Sequence, residues 1–554
     1  MKINNSKKSM LVGSIAVAAV AVIACVGIGI ANSSSEGADG QGIVSGKTLE
    51  QLMEHVEYNI ATPTKASVNL GSATLYDELP EIDKYPLSVE GNGDIDIEIF
   101  TSGEKAGSNN DSWLIDCAEI FNNQSHTIDS GESVSMSIRS VSSGLAADYI
   151  ISQKYMPDLY TPSNTLFGEY AIANGGKLEI YNERLVGNTA GILVRKSSEY
   201  SDINAIVDDV IAGKLNIGYT NPQTSATGLN LLLEILKNES DSLATDRFVA
   251  FNNNIPFVAY TTQQMVSSAS NGSLDGMVTE YQAYINNDNL KASYKFIPFG
   301  MRHDNPMYIV NKNGKSDSEM KAIEAVNTYL MSNEAQSIAT KYGFNANDDY
   351  KSSYTAAGSE ITQALKVYKT EKDAGKDIIA VFVADCSGSM TGAPINELKS
   401  SLSNGMQYIN ENNYIGLVSY SSGVTIEVPI APFDLNQKAY FQGGVNKLMA
   451  NGMTASYEAL CVAMKMIEDE RVNHPDAKCM IFLLTDGYAN GHLKIDDIRA
   501  AVLKSEIPVY TIGYTDEADM ESLKDLSGIN EAASINADSN DIVYQIKNLF
   551  NAQL

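Results

Sequence analysis

The fold of the C-terminal part of this chain is decided by the stretch Asp377-Ile378-Ile379-Ala380-Val381-Phe382-Val383-Ala384-Asp385-Cys386-Ser387-Gly388-Ser389-Met390. After its first residue the stretch is apolar without interruption up to Ala384, which is typical of a parallel strand buried on both faces of a sheet. It then continues into an acidic residue and two serines separated by one residue. Because ligands bind at the carboxyl ends of strands in open α/β sheets, this pattern predicts a binding site there.

Two later segments complete a set of oxygen-bearing side chains. Thr454 precedes a helical stretch over residues 457–468, and Asp486 ends a second apolar run over residues 480–484. With Asp385, Ser387 and Ser389 they offer two carboxylates and three hydroxyls, which suit Mg²⁺, Mn²⁺ or Ca²⁺ better than zinc. The alternative, that the two aspartates only cap turns, stays open from the residues alone.

Residues 377–554, with these motifs, resemble the von Willebrand factor type A family. The resemblance implies a doubly wound, Rossmann-like α/β domain with a metal-ion-dependent adhesion site. It implies that Ser387 and Ser389 bind the metal directly, Thr454 directly or through water, and that Asp385 and Asp486 mostly hold metal-bound waters. One coordination position is then left for an acidic residue of a partner protein. No nucleophile is paired with a base, so we expect a binding site and no enzyme.

Residues 94–350 form a second predicted α/β unit, which begins with the alternating strand pattern of residues 94–99. Hydroxyl-bearing residues and glycines precede several predicted helices, where free N–H groups and the helix dipole can hold an anion. The alternative is that these hydroxyls are plain N-caps.

This unit resembles the bacterial extracellular solute-binding proteins, in the two-lobed, periplasmic-binding-protein-like class with two chain crossovers between the lobes. The matching segments are residues 101–103, 142–145, 221–228, 274–281, 332–336 and 342–344. The resemblance implies that the loops facing a cleft between the lobes carry the candidate ligand-binding residues Thr101, Ser102, Ser142, Ser143, Thr224, Ser225 and Tyr281. The ligand could be an oxyanion, a small organic solute or nothing, since a fold can be kept as a scaffold.

The N-terminal segment predicts attachment to a membrane. Residues 1–9 carry three lysines and predict a cytoplasmic tail, and residues 10–31 are an apolar run long enough to span as a helix. Basic residues before this run and acidic residues after it predict a single-pass membrane protein whose bulk is extracellular. Alternatively, the apolar run is a cleaved lipoprotein signal, and in that case Cys25 would be lipidated. Residues 32–93 and 351–376 are predicted to be linkers, the first with an irregular segment.

Composition narrows the choice of partners. The formal net charge of −29 excludes nucleic acid, because no basic field would attract phosphates. Cys386, Cys461 and Cys479 share the C-terminal domain, so one disulfide is conceivable there.

The favoured hypothesis is a membrane-anchored extracellular protein whose metal site binds a protein ligand, with solute binding by the middle domain as a further role. The alternative is a solute receptor of an ABC-type importer or a sensor, in which the A domain is the docking module.

Overall fold

The computed structural model describes residues 46–68, 74–237, 244–255, 257–259, 265, 274–372, 376–514, 518–530, 534–537 and 549. The predicted tail, the predicted anchor at residues 10–31 and Cys25 lie outside these residues. Among the described helices none is long and apolar enough to cross a membrane. The longest has 16 residues, whereas a span needs about 20. The prediction of a single-pass membrane protein is therefore wrong for the residues that the structure describes.

The chain is built from alternating strands and helices. The N-terminal segment contains α1 (Leu49–Met53) and β1 (Tyr58–Ile60). The first part of the middle domain contains α2 (Leu75–Glu78), β2 (Leu87–Val89), β3 (Ile95–Thr101), α3 (Gly103–Ala106), α4 (Trp113–Asn123), β4 (His126–Thr127), β5 (Ser133–Ser140), α5 (Ser143–Ser152), β6 (Leu159–Thr161), α6 (Leu166–Ala173) and β7 (Leu178–Asn182). Its second part contains β8 (Asn188–Arg195), α7 (Ile203–Ile211), β9 (Ile217–Thr220), α8 (Ala226–Leu236), α9 (Thr245–Asn252), β10 (Phe257–Ala259), β11 (Gly276–Glu280), α10 (Tyr281–Ile285), α11 (Asp288–Ser293) and β12 (Tyr294–His303).

The middle domain closes with β13 (Met307–Val310), α12 (Asp317–Leu330), α13 (Asn333–Lys341) and α14 (Gly358–Glu371). The C-terminal domain contains β14 (Ile378–Asp385), α15 (Ala393–Gly405), β15 (Tyr414–Tyr420), β16 (Val424–Pro432), α16 (Leu435–Lys447), α17 (Ser456–Arg471), β17 (Lys478–Thr485), α18 (Ile495–Ser505), β18 (Val509–Tyr514), α19 (Met520–Gly528) and β19 (Ser534–Ala537).

Two sheets divide the middle domain into lobes. The first sheet has the order β2-β5-β3-β6-β13-β7, with β4 beside β5, and the second has the order β10-β9-β11-β8-β12. The chain passes from the first sheet to the second after β7 and returns after β12. The prediction of a two-lobed α/β domain with two crossovers is confirmed. Helix α14, in the stretch predicted to be a linker, packs Ile361, Ala364 and Tyr368 into the hydrophobic core of this domain.

The C-terminal domain is a doubly wound α/β sandwich, as predicted. Its sheet has the order β1-β16-β15-β14-β17-β18-β19, in which every pair is parallel except β15 with β16. All eight residues of β14 are buried, since hydrophobic clusters cover both faces of the sheet. The uninterrupted apolar run after Asp377 reflects this central position.

The N-terminal segment packs on the C-terminal domain, although the middle domain separates the two in sequence. Strand β1 adds to the sheet edge beside β16, with Tyr58 opposite Val424 and Ile60 opposite Ile426. Leu49 and Leu52 of α1 lie in the same hydrophobic cluster as residues of β14. The middle domain is therefore inserted, in sequence, into a structural unit formed by residues 46–68 and the C-terminal domain.

Candidate functional site

The carboxyl ends of β14 and β17 bring three of the predicted metal-binding residues together. The two strands are parallel neighbours with Ala384 opposite Leu484, so the residues that follow them meet at one edge of the sheet. The Ser387 and Ser389 hydroxyl oxygens are 3.0 Å apart. The Ser389 hydroxyl donates a hydrogen bond of 2.8 Å to Asp486 Oδ1. One turn thus presents both serines next to the carboxylate of the neighbouring strand.

Asp385 lies beneath this turn and holds it in place. Its Oδ1 accepts a hydrogen bond of 2.7 Å from the Ser387 backbone N–H. Its Oδ2 accepts from the hydroxyls of Thr485 and Tyr420, at 2.6 and 3.1 Å. Burial raises the pKa of Asp385, and the hydrogen bonds from Thr485 and Ser387 oppose that rise. The side chain is fully buried, so it acts on the turn from within the domain.

The loop that carries Thr454 is fastened to the serine turn through backbone atoms. Gly388 N–H donates to the carbonyl oxygen of Gly452 at 3.0 Å, and Asn451 N–H donates to that of Cys386 at 2.8 Å. Thr454 itself is buried, and its N–H donates to Asn490 Oδ1 at 2.7 Å. The five predicted residues therefore lie on three loops at the same edge of the sheet.

This set of side chains fits a hard divalent cation. All five offer oxygen, and hydroxyl and carboxylate oxygens converge to 2.8–3.0 Å at Ser387, Ser389 and Asp486, as ligands of one small ion must. The described residues contain no cluster of three or more His, Cys, Asp or Glu side chains able to hold a metal. A cation at this edge would therefore depend on the hydroxyls as much as on the acids.

The cysteines take no part in a disulfide within the described residues. Cys117, Cys386, Cys461 and Cys479 are free and buried. Burial, together with the charge of Asp385, raises the pKa of the Cys386 thiol to about 12. The Cys386 thiol, which lies between Asp385 and Ser387 in sequence, is therefore a protonated core side chain.

A second candidate site lies between the lobes of the middle domain, where there is a cavity of about 190 Å³. Five of the seven predicted ligand-binding residues line it: Ser102, Ser142, Ser143, Thr224 and Ser225. Ser142 and Ser143 begin α5 in one lobe, and Ser225 caps α8 in the other by accepting from Gly228 N–H. The helix starts of both lobes thus face one space.

The structure places the other two predicted residues outside this lining. Thr101 is the last residue of β3 and is fully buried behind the cavity. Tyr281 packs its ring edge-on against Phe296, with the ring centroids 5.1 Å apart. Its neighbours Glu280 and Gln282 line the cavity instead, because successive residues where β11 meets α10 point to different sides. An acid at a strand end was the signal that could have identified Glu280, as it identified Asp385.

Sequence analysis also missed a buried ion pair at the cavity wall. The Lys105 ammonium is fully buried and contacts Glu104 Oε1 at 2.9 Å, Ser102 Oγ at 2.6 Å and Asn305 Oδ1 at 2.7 Å. Glu104 Oε1 also accepts from the hydroxyls of Ser102 and Ser163. Burial alone would raise the pKa of Glu104, but Lys105 and the two hydroxyls outweigh it and lower the pKa to about 2.

Two cross-lobe contacts close the cavity. Gly144 N–H at the start of α5 donates to the carbonyl oxygen of Thr224 at 3.1 Å. From the other lobe, Gln282 Nε2 donates to the carbonyl oxygen of Asn110 at 2.7 Å and to Asp111 Oδ1 at 2.9 Å. A Cβ at residue 144 would lie 2.0 Å from the Gln223 carbonyl oxygen, so only glycine allows this approach. The lobes are thus in direct contact around the space.

The fold consists of two α/β domains, each of which carries one candidate site. Comparison with protein families agrees with both resemblances: residues 380–551 match the von Willebrand factor type A domain, and residues 106–345 match the bacterial extracellular solute-binding protein. The chain therefore combines a von Willebrand factor type A domain with a solute-binding domain. Together the two matches support a role in extracellular binding or adhesion.

The following relatives each cover only part of the chain. Inter-alpha-trypsin inhibitor heavy chain H3 of Mesocricetus auratus is 28% identical over 158 residues, which are 26% of this chain and 18% of that protein. The chain thus spans less than a fifth of the length of this relative. Among solved structures, a periplasmic thiamin binding protein matches 51% of this chain and 98% of its own, at 11% identity and a TM-score of 0.40. A von Willebrand factor type A protein from Catenulispora acidiphila matches 32% and 42%, at 19% identity and a TM-score of 0.29.

Proposed function

We propose that this protein is an extracellular binding protein whose A domain binds a protein ligand through a divalent cation. Ser387, Ser389 and Thr454 would hold the cation with their hydroxyls, and Asp385 and Asp486 would support it from the inner side. The observation that carries the proposal is the convergence of Ser387, Ser389 and Asp486 at the carboxyl edge of the sheet. Mg²⁺ is the expected ion, with Mn²⁺ or Ca²⁺ as substitutes.

The cation would supply a positive charge and one coordination position to a carboxylate of the partner protein. The chain supplies the surrounding contact surface. Met453 and Tyr488, next to Thr454 and Asp486, are 48% and 65% exposed. Large exposed side chains of these types are enriched where proteins bind one another. An acidic partner residue with apolar neighbours matches both the cation and this rim.

Substituting Asp486 tests the cation. We expect Asp486→Ala to weaken Mg²⁺ binding about 10- to 100-fold, the usual effect of losing a residue that supports metal ligands. Isothermal titration of Mg²⁺ into the full chain measures the affinity. The control is Asp476→Ala, because Asp476 is an exposed acid in the turn before β17, at the opposite edge of the sheet. Equal Mg²⁺ affinity in the two variants would contradict the proposed site.

We propose a second function, the binding of a small solute between the lobes of the middle domain. It is supported by the cavity of about 190 Å³, which residues of both lobes line, and by the family match of residues 106–345. In that case the chain is a solute receptor, and the A domain connects it to a protein partner such as an importer or a sensor. Binding of any solute in a defined ratio of one per chain tests this function.

A further inference from the structure

We propose that the interlobe cavity binds a small primary ammonium compound and rejects oxyanions. The inference rests on the proposed solute-binding function of the middle domain and specifies its ligand. It contrasts with the expectation from the helix starts alone, which allowed an anion. The charges, the hydrogen-bond acceptors and the size of the cavity each point to the same class of ligand.

The cavity wall carries more negative than positive charge. Glu104, Asp111 and Glu280 line it, whereas no lysine, arginine or histidine is among the lining residues that the structure describes. Lys105 lies behind Ser102 and is fully buried against Glu104, so its charge is already matched. The undescribed residues of this domain, 238–243, 256, 260–264 and 266–273, contain no lysine, arginine or histidine. Because Glu104 and Lys105 balance one another, an oxyanion would face the acids Asp111 and Glu280 of this lining.

Hydrogen-bond geometry shows which groups donate to Glu280. Asn230 Oδ1 accepts from Met301 N–H at 2.8 Å and from the Tyr354 hydroxyl at 2.6 Å, which fixes the orientation of the amide. Its Nδ2 then donates to His303 Nε2 at 3.2 Å. His303 Nε2 thus accepts, which leaves Nδ1 to donate to Glu280 Oε1, at 2.6 Å. None of these contacts places a lysine or an arginine beside Glu280.

An unused acceptor in the wall points to a ligand that donates hydrogen bonds. Gln282 lines the cavity and is fully buried. Its Nε2 is used in the cross-lobe contacts, but its Oε1 has no hydrogen-bond partner among the described residues. Buried acceptors of this kind are costly unless a donor reaches them. An ammonium group has three N–H donors, and its positive charge suits a lining that contains the acids Asp111 and Glu280.

The lining residues and the volume of the cavity narrow the class of ligand further. The described lining residues include no aromatic side chain, whereas quaternary ammonium compounds are recognised by aromatic cages. A primary ammonium, which bonds through N–H, therefore fits better. The cavity of about 190 Å³ is slightly larger than the roughly 150 Å³ cavity that accepts benzene. The ligand is thus a compound of about six to nine non-hydrogen atoms by the same comparison.

The experiment is isothermal titration of the full chain with two panels at equal ionic strength. One panel contains putrescine, cadaverine and 5-aminopentan-1-ol, and the other contains sulfate, phosphate and molybdate. We expect one or more of the amines to bind and none of the anions. Binding of an anion would overturn the ammonium inference while supporting solute binding. No binding by either panel would overturn both.

Variants locate the binding in the cavity. Glu280→Gln keeps the shape and an acceptor for His303 but removes the charge, so amine binding should weaken at least tenfold. The control is Glu179→Gln, because Glu179 is an exposed carboxylate of β7 in the same domain. Asp111→Asn, in a short turn, serves as the second variant should Glu280→Gln not fold, with at least a threefold loss expected. Unchanged amine affinity in both cavity variants would contradict the inference.

Discussion

The candidate metal site and the interlobe cavity contain the same kinds of residue in different arrangements. Both bring serines, threonines and acids together near the carboxyl ends of strands. In the A domain Asp385 ends β14 and Asp486 follows β17, and these are neighbouring strands of one sheet. In the middle domain Glu104 and Glu280 belong to different lobes, each with its own sheet. The sheet itself fixes the first site, whereas the second exists only when the lobes are in contact.

The two sites also differ in how the buried acid is stabilised. Asp385 is held by hydroxyl and backbone donors from Thr485, Tyr420 and Ser387. Glu104 is held by a buried ammonium, Lys105. A cation at the metal centre would supply from outside the positive charge that Lys105 supplies from within the chain. The A domain should therefore respond to metal, and the middle domain to loss of its lysine.

The largest expected effect comes from Lys105→Met, which breaks the ion pair and leaves Glu104 buried without its partner. Removing one member of a buried pair costs about 3–5 kcal/mol of the free energy of unfolding. Urea denaturation measures this loss in the middle domain. The control is Lys291→Met, whose salt bridge with Asp288 is exposed and should contribute less than about 1 kcal/mol. Equal losses in the two variants would contradict a special role for Lys105.

A double variant and the pH dependence sharpen this result. Lys105→Met with Glu104→Gln removes both charges and should recover most of the lost stability. In the native chain the pKa of Glu104 is lowered to about 2, below its ordinary value. This carboxylate therefore stabilises the fold above its unfolded pKa, and that contribution is lost as the pH falls from about 4.5 towards 2. The double variant should lack this component of acid sensitivity.

A smaller effect is expected from Gly144→Ala, which tests whether the cavity depends on contact between the lobes. The added Cβ would lie 2.0 Å from the Gln223 carbonyl oxygen, so the lobes must shift and the hydrogen bond from Gly144 to Thr224 weakens. Such overpacking costs about 1–3 kcal/mol. The free energy of unfolding, measured by denaturant titration, and the solute affinity should both fall. The control is Gly423→Ala, where a Cβ meets nothing within 4 Å; if both variants match the native chain, closure at Gly144 does not matter.

Sequence reasoning succeeded where local pattern and site coincide. The apolar run of β14 predicted a central strand, and the acids and serines after it lie together at one edge of the sheet. In the cavity the helix starts could be predicted, because hydroxyls before a helix have a local signature. Glu104, Glu280 and Gln282 could not be paired in the same way, since the two lobes bring them together across the fold.

The packing of the N-terminal segment on the C-terminal domain could not be predicted from the sequence either, because it is a long-range contact. Nothing in residues 46–68 marks them as part of a domain that resumes at residue 377. Their three-residue strand is exposed along its length, so its side chains carry no core pattern. The contact is made by backbone atoms and by α1, whose buried Leu49 and Leu52 do not specify which domain they pack on.

The smallest expected effect concerns this added strand. Ala61 N–H donates to the Ile426 carbonyl oxygen at 2.9 Å, and Ala61→Pro removes that donor. Loss of one such backbone hydrogen bond at a sheet edge should cost about 1 kcal/mol. Ala61→Ser, which keeps the N–H group, is the control. Hydrogen exchange should show faster exchange in β16 with Ala61→Pro and no change in the middle domain. A change confined to the middle domain would mean that residues 46–68 stabilise that domain instead, and that the A domain is complete without them.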